Sequence, residues 1–323
     1  MFAEMAEKLK KNPKIIVFPE GDDVRILHAV SRLKKEGVLI PLLLGNVSEI
    51  RAIVGEERID IDGIEVIDPK TYADIDKMVA EMVEIRKGKM SEEECRAALK
   101  KRNYFGTMLV KMGMAAGLLG GATYSTADTV RPALQIIKTK PGNKIVSSCF
   151  LLVHQKETAE RYIMADCAIN ISPNEDELVE ITVEAANMAK CLGIEPRVAL
   201  LSYSTKGSAE GDSINTIRGA LKKLLAMGVD FPVDGELQFD SAFVPAVAEA
   251  KAPNSPIAGR ANTFIFPDLN AGNIGYKMAQ RFGGFEAVGP MLLGINQPIN
   301  DLSRGTNTDE IYKMAILTAL SAN

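Results

Sequence analysis

Apolar runs rich in Val, Ile and Leu recur along the chain, separated by segments of helical period. They fall at 14–20 (KIIVFPE), 39–45 (LIPLLLG), 64–69 (IEVIDP), 115–122 (AAGLLGGA), 145–153, 162–171, 197–205, 233–239, 263–268 and 287–294. Several are apolar throughout instead of alternating, which predicts strands covered by helices on both faces. Many end on a charged or hydroxyl residue before a loop: Glu20, Asp68, Asp166, Ser204 and Asp268. In open α/β sheets, ligands bind at such carboxyl ends. Between the runs, VRILHAVSRLKKEG closes on Gly37, and NEDELVEITVEAANMAKCLG opens on acids and closes on Lys190 and Gly193, as helix ends favour. Strand and helix alternate for nearly the whole length, so the fold class is α/β with mainly parallel sheets. Ten runs are many for one sheet, and two domains are expected. The Lys/Pro/Gly stretch IIKTKPGNK (136–144) marks one boundary and NQPIN (296–300) a second.

Charge and composition narrow the chemistry. The 323 residues are 46% apolar with a net charge of -4, which argues against nucleic acid or an anionic membrane as partner. The longest uncharged run, 112–127, is too short and polar to span a bilayer. The first residues, MFAEMAEKLKKNPK, lack the apolar core of a secretory signal, so a cytoplasmic protein is expected. Cysteines stand alone at 95, 149, 167 and 191, and the only histidines are His28 and His154. Neither a Cys/His zinc site nor a disulfide framework is expected. Chemistry falls to Ser, Arg, Lys, Asp and Glu.

Several segments place such residues at strand ends. In STADTVRPALQIIK (125–138), Ser125, Thr126 and Asp128 can each cap a helix that follows an apolar run. Its free N–H groups and Arg131 suit a phosphate; a capped helix with a solvated Arg131 is the other reading. Pro132 must sit near the helix start or kink it. YSTKGSAEGDS (203–213) puts Lys206 before Gly207, the wrong order for a P-loop. In NTFIFPDLNAGNIGYKMAQRFGG (262–284), a strand, an Asn/Gly loop and a helix with Tyr276 and Lys277 follow one another. Gly275 inside that helix points either to ligand approach or to helix–sheet packing. Asp234, Glu236 and Asp240 surround a strand without spaced metal partners, which favours structural roles. Arg86 closes a helical run among solvated charges.

The last segment, NQPINDLSRGTNTDEIYKMAILTALSAN, sets Ile311, Met314, Ala315, Thr318, Ala319 and Ala322 on one helical stripe starting near 306–308. Asn307 and Glu310 form a capping-box-like pair. Ser303 and Arg304 lie upstream of that first turn, and positive charge at a helix start is unfavourable unless an anion intervenes. An anionic ligand gripped by Arg304, hydrogen-bonded by Ser303 and approached closely at Gly305 accounts for the pattern.

STADTVRPALQIIKTKPG, SYSTKGSA, GELQFDSAFVP, NTFIFPDLNAGNIGYKMAQR and PINDLSRG, in this order, resemble the phosphate acetyltransferase (phosphotransacetylase) family, from IIVFPEGDD almost to the C-terminus. The resemblance implies two α/β domains similar to isocitrate dehydrogenase, with the active site in the cleft between them and the last helix returned to the first. The corresponding division is 1–143 plus 301–323 and 144–300. It implies reversible acetyl transfer between acetyl phosphate and coenzyme A by direct thiolate attack in a ternary complex, no cofactor beyond coenzyme A as substrate, no metal, and a homodimer. Carried over by motif, Ser303 assists the thiol, Arg304 binds phosphate and the developing oxyanion, and Glu310 is the base. Arg86 and Arg131 hold the phosphoryl group, and Ser125, Thr126, Asn262, Asn273, Tyr276 and Lys277 line the substrates. Three positions depart from the pattern: Glu310 stands where Asp is usual (with Asp309 adjacent), Tyr124 where His is typical, and Thr306 where Cys is common. Two other readings stay open, a butyryl-type acyl preference and a noncatalytic acetyl-CoA-sensing module.

Overall fold

The protein is described by a computed structural model over residues 1–154, 161–257 and 259–322; Asn323, the end of the C-terminal segment quoted above, lies outside them. The chain forms two compact units, Met1–Lys140 with Ile295–Asn323, and Pro141–Gly294. Among the described residues there are eleven strands. They are β1 (Ile15–Phe18), β2 (Ile40–Leu44), β3 (Glu65–Ile67), β4 (Gly117–Gly120), β5 (Ser147–His154), β6 (Arg161–Ala165), β7 (Val198–Leu201), β8 (Val233–Leu237), β9 (Thr263–Ile265), β10 (Phe285–Leu293) and β11 (Ile299–Asp301).

The first unit's sheet runs β11-β4-β1-β2-β3, with every pair parallel. Its central strands are buried on both faces, which is why they read as unbroken apolar runs. The chain steps from β1 to β2 to β3 in one direction, then crosses to β4 on the other side of β1. That reversal between β1 and β4 is a topological switch point, where strand carboxyl ends diverge and leave a crevice.

The boundaries differ from the sequence-based ones. The units divide after Lys140 instead of residue 143, and after Gly294 instead of residue 300. The second shift has a plain cause: β11 pairs with β4 from Ile299↔Leu118 to Asp301↔Gly120. A strand of one apolar and two polar residues shows no run to read. The last helix, Thr308–Ser321, is also buried more widely than one stripe, since Tyr312, Ile316 and Leu317 are covered too. It packs on β1, β4 and β11 and also meets the helices Phe2–Lys10 and Val24–Lys35.

The second unit's sheet runs β10-β5-β6-β9-β7-β8, antiparallel at β10–β5–β6 and parallel from β6 onward. Gly275, in the helix Leu269–Phe282, has the Phe266 ring 3.0 Å from where a Cβ would stand. Helix–sheet packing therefore explains this glycine. Among the described residues no helix is long and apolar enough to cross a membrane.

The attachment of the last helix can be tested at one buried link. Asn300 Nδ2 donates to Thr318 Oγ1 at 3.0 Å, and that hydroxyl donates to the Met314 carbonyl at 2.7 Å. Asn300→Ala should lower unfolding free energy by about 1–2 kcal/mol in urea melts; an unchanged midpoint would show that the link contributes nothing.

Candidate active site

Glu20 follows β1, and its side chain is almost wholly buried. A lone buried carboxylate is strongly disfavoured unless donors surround it. The loop after β4 supplies them: the N–H groups of Gly121 (2.8 Å), Ala122 (3.0 Å), Thr123 (2.5 Å) and Tyr124 (3.1 Å), and the Thr123 hydroxyl (2.6 Å). The carboxylate thus fixes the loop leading from β4 to Ser125.

Arg25 ties in the third loop. Its guanidinium pairs with Asp23 at 2.8 Å and donates to the Ala122 carbonyl at 3.0 Å. Its other terminal nitrogen donates to the carbonyls of Arg304 and Thr306, both at 3.0 Å. Asp23 caps the helix Val24–Lys35 by accepting from the N–H groups of Arg25 and Ile26. Burial works against the Asp23 carboxylate, yet Arg25 and these N–H donors hold its pKa below the usual range. One cation therefore joins loops from β1, β4 and β11.

On this frame stand the sequence-predicted residues of the first unit. Ser303 is exposed, and its Oγ accepts from the Gly305 N–H at 3.3 Å. Arg304 is exposed, and its guanidinium has no hydrogen bond or ion pair among the described residues, although its carbonyl is fixed by Arg25. Because β11 and β4 are neighbours, the Ser303 loop lies beside the Ser125 loop. Ser125 caps the helix Thr126–Pro132, accepting from the Asp128 N–H and donating to its carboxylate at 2.6 Å. Thr126 opens that helix and is exposed.

Pro132 ends this helix, and a π-helical turn, Ala133–Ile137, follows. Arg86, the last residue of the helix Ile75–Arg86, donates to the Gln135 carbonyl in that turn at 2.9 Å. It is half-buried. Tyr104 donates to the Gln135 side chain at 2.9 Å. Burial pushes the Tyr104 hydroxyl pKa up, while Arg131 and Arg86 pull it back, so both guanidinium charges act on one tyrosine.

The two candidate bases are distinguished by their partners. Asp309 pairs with Lys313 at 2.6 Å and Arg32 at 3.3 Å, and Lys313 chiefly holds its carboxyl below the ordinary range. Glu310 donates its N–H to Asn307 Oδ1 at 3.0 Å, half of the anticipated capping pair. Its carboxylate has no partner among the described residues.

The second unit separates its candidates. Asn262 is a framework residue: it accepts from the Arg197 N–H (2.8 Å) and Thr263 hydroxyl (3.2 Å) and donates to the Glu195 carbonyl (2.8 Å). It precedes β9, at the amino edge instead of the carboxyl edge, so it leaves the substrate set. Asn273 donates to the Cys167 carbonyl at 3.1 Å, and Tyr276 stacks on Phe150 with centroids 4.0 Å apart. Lys277 is exposed, 5.9 Å over the Tyr276 ring. The carboxylates in and just after β8 are structural pairs, Asp234 with Lys206, Glu236 with Arg218 and Asp240 with Lys251.

Sequence reasoning marked Glu20 only as the charged end of an apolar run and assigned nothing to Asp23 and Arg25. The signal was present in IIVFPEGDDVR, where charges crowd the end of the first apolar run.

A comparison with protein families matches residues 1–319 to the model described as Phosphate acetyl/butaryl transferase. Phosphate acetyltransferase of Bacillus subtilis (strain 168) is 53% identical over 322 residues, 100% of this chain and 99% of that protein. Phosphate acetyltransferase of Staphylococcus epidermidis (strain ATCC 12228) is 48% identical over 327 residues, 100% of this chain and 98% of that one. The crystal structure of a phosphotransacetylase from Streptococcus pyogenes aligns with a TM-score of 0.96 at 51% identity, covering 99% and 97% of the two chains.

Two perturbations test the local arrangement. Gly121 has φ +107°, and a Cβ there would lie 2.3 Å from Asp301 Oδ1 and 2.7 Å from the Leu302 nitrogen. Gly121→Ala should cost about 1–3 kcal/mol in chemical denaturation; a cost near zero would show the loops to be loosely held. Burial opposes the charge of Glu236, but the Arg218 hydrogen bond and the Gly207 N–H bring its pKa down to about 2. Since its unfolded value is near ~4.3, its stabilisation is present above that pH and is lost as pH falls toward 2. Glu236→Gln should flatten that part of the acid denaturation profile, and an unchanged profile would contradict the assignment.

Proposed function

The chain belongs to the phosphate acetyl/butaryl transferase family, and on that premise we propose that it transfers acetyl groups reversibly between acetyl phosphate and coenzyme A. The observation that supports this reading most is the exposed Arg304 guanidinium, unpaired among the described residues, beside Ser303 on a backbone fixed by Arg25 at the carboxyl edge of the first sheet. Full-length identity to phosphate acetyltransferases of 53% and 48% supports the reaction class.

In the proposed reaction the coenzyme A thiolate attacks the acetyl carbonyl. The S–C bond forms, the carbonyl electrons move onto oxygen, and collapse of the tetrahedral intermediate expels phosphate. Arg304 neutralises phosphate and the developing oxyanion, and Arg86 and Arg131 hold the phosphoryl oxygens with Ser125 and Thr126. Ser303 orients the thiol. Its proton passes to Glu310 and leaves with the phosphate, so charge and protons balance. Proton transfer from an ordinary thiol near ~8.5 to an ordinary carboxylate near ~4.3 is uphill by about 6 kcal/mol. The guanidinium of Arg304 and the positive end of the last helix reduce that gap by stabilising the thiolate. An acyl phosphate is already activated, so orientation beside the thiolate supplies much of the remaining acceleration.

Glu310 is preferred to Asp309 as base because the latter is committed to Lys313 and Arg32. Asn273, Tyr276 and Lys277 are carried over from the family resemblance as substrate contacts, as are a cytoplasmic location and a homodimer.

Acyl-CoA formation from coenzyme A with acetyl, propionyl and butyryl phosphate tests the reading directly. Acetyl phosphate should be the best donor, and no turnover with any of the three would refute it. Arg304→Ala should lower kcat/KM by roughly 10²–10³-fold with the fold intact. Glu310→Gln should lower kcat by roughly 10²-fold with little change in KM for acetyl phosphate. The same loss in Asp309→Asn instead would reassign the base.

A further inference from the structure

Pro132 has no N–H, so the helix Thr126–Pro132 leaves the Asp128 carbonyl without its intrahelical donor. Asn103 Nδ2 takes that carbonyl at 2.6 Å. Asn103 is the second residue of the helix Arg102–Lys111, and its Oδ1 accepts from the Tyr104 N–H at 2.9 Å. Tyr104 in turn donates to Gln135 Oε1 at 2.9 Å, in the π-helical turn that follows Pro132. Two adjacent residues of one helix thus hold this segment at 128 and at 135, on either side of Arg131.

Arg86 depends on the same turn. The last carbonyls of a helix lack partners within it, and Arg86 Nη1 donates to the one at Gln135 at 2.9 Å. Arg86 Nε is buried with no hydrogen-bond partner. Among the described residues, the bond to Gln135 is therefore what fixes the direction of the guanidinium. Single π-helical turns recur at functional sites. Here the turn offers its backbone to Arg86 and its side chain to Tyr104, so one residue joins the two.

The geometry points to Tyr104 as a positioning residue for the phosphate site: by holding the Gln135 side chain it sets the carbonyl that aims Arg86. The inference rests on the phosphate role proposed for Arg86 above. Arg86 and Arg131 both act electrostatically on the Tyr104 hydroxyl, which puts the three side chains in one neighbourhood. A phenylalanine at 104 keeps the ring and removes only the donor, leaving Gln135 Oε1 without it.

Tyr104→Phe should raise the KM that Arg86→Ala raises, which is that of acetyl phosphate on the reading above, by about fivefold with a smaller change in kcat. In the double variant the tyrosine change should add nothing to the loss caused by Arg86→Ala, because residues that act through one another are not additive. Additive losses, or wild-type KM in Tyr104→Phe, would sink the proposal. If Arg86→Ala fails to fold, Arg86→Lys, which keeps the charge but loses the planar fork, takes its place in the cycle. A second readout needs no turnover. In protein carrying isotopically labelled arginine, the Arg86 guanidinium NMR signal, identified as the one missing from Arg86→Lys, should move in Tyr104→Phe. An unmoved signal overturns the inference whatever the kinetics. No acyl transfer by wild type, or normal kinetics in Arg86→Ala, would instead refute the functional role of Arg86, and the arginine signal would then decide the positioning.

Discussion

Five hydrogen bonds converge on the buried Glu20 carboxylate, and the Arg25 guanidinium beside it reaches the backbone of two further loops. Together they constrain the loops after β1, β4 and β11, which the parallel sheet order brings to one edge. The glutamate occupies the donors that a loop at a switch point would otherwise turn toward an external anion. The Arg304 guanidinium, by contrast, has no partner among the described residues, which suits it to the proposed anion site. Gly121 completes the arrangement, because any side chain there would meet Asp301 and the backbone of Leu302.

The same edge divides its acids by role. Glu20 and Asp23 are consumed in holding backbone, and Asp309 is held by Lys313 and Arg32. Arg32 also stacks on Tyr312 at 3.7 Å and pairs with Glu36 at 3.0 Å, so Asp309 belongs to a network joining the last helix to the helix Val24–Lys35. Glu310, one residue further along, escapes that network. A helix turn thus gives adjacent carboxylates opposite surroundings: Asp309 is paired, and Glu310 has no partner among the described residues, as the proposed base requires.

The α/β class was legible because continuous apolar runs on buried parallel strands carry a strong signal. The positions of Ser303 and Arg304 at a helix start were legible for a similar reason, since capping and dipole rules made them anomalous. Three features were not. β11 has only one apolar residue, so its membership of the first sheet depends on pairing that no local pattern encodes. Asn262 was a substrate contact only through the family resemblance; which end of β9 it marks, and its partners Arg197 and Glu195, are set by tertiary structure. Arg25 hydrogen-bonds to residues about 280 positions away, and the carbonyls it seeks have no sequence signature.

The claim that one internal ion pair holds three loops as a single anion site is tested most directly by titrating inorganic phosphate into wild type and Arg25→Met, followed by phosphorus NMR. Arg25 itself need not touch the anion. The account predicts that the variant, folded by circular dichroism, binds phosphate at least about tenfold more weakly, the equivalent of one buried charged hydrogen bond. Equal affinity in the two proteins would contradict it.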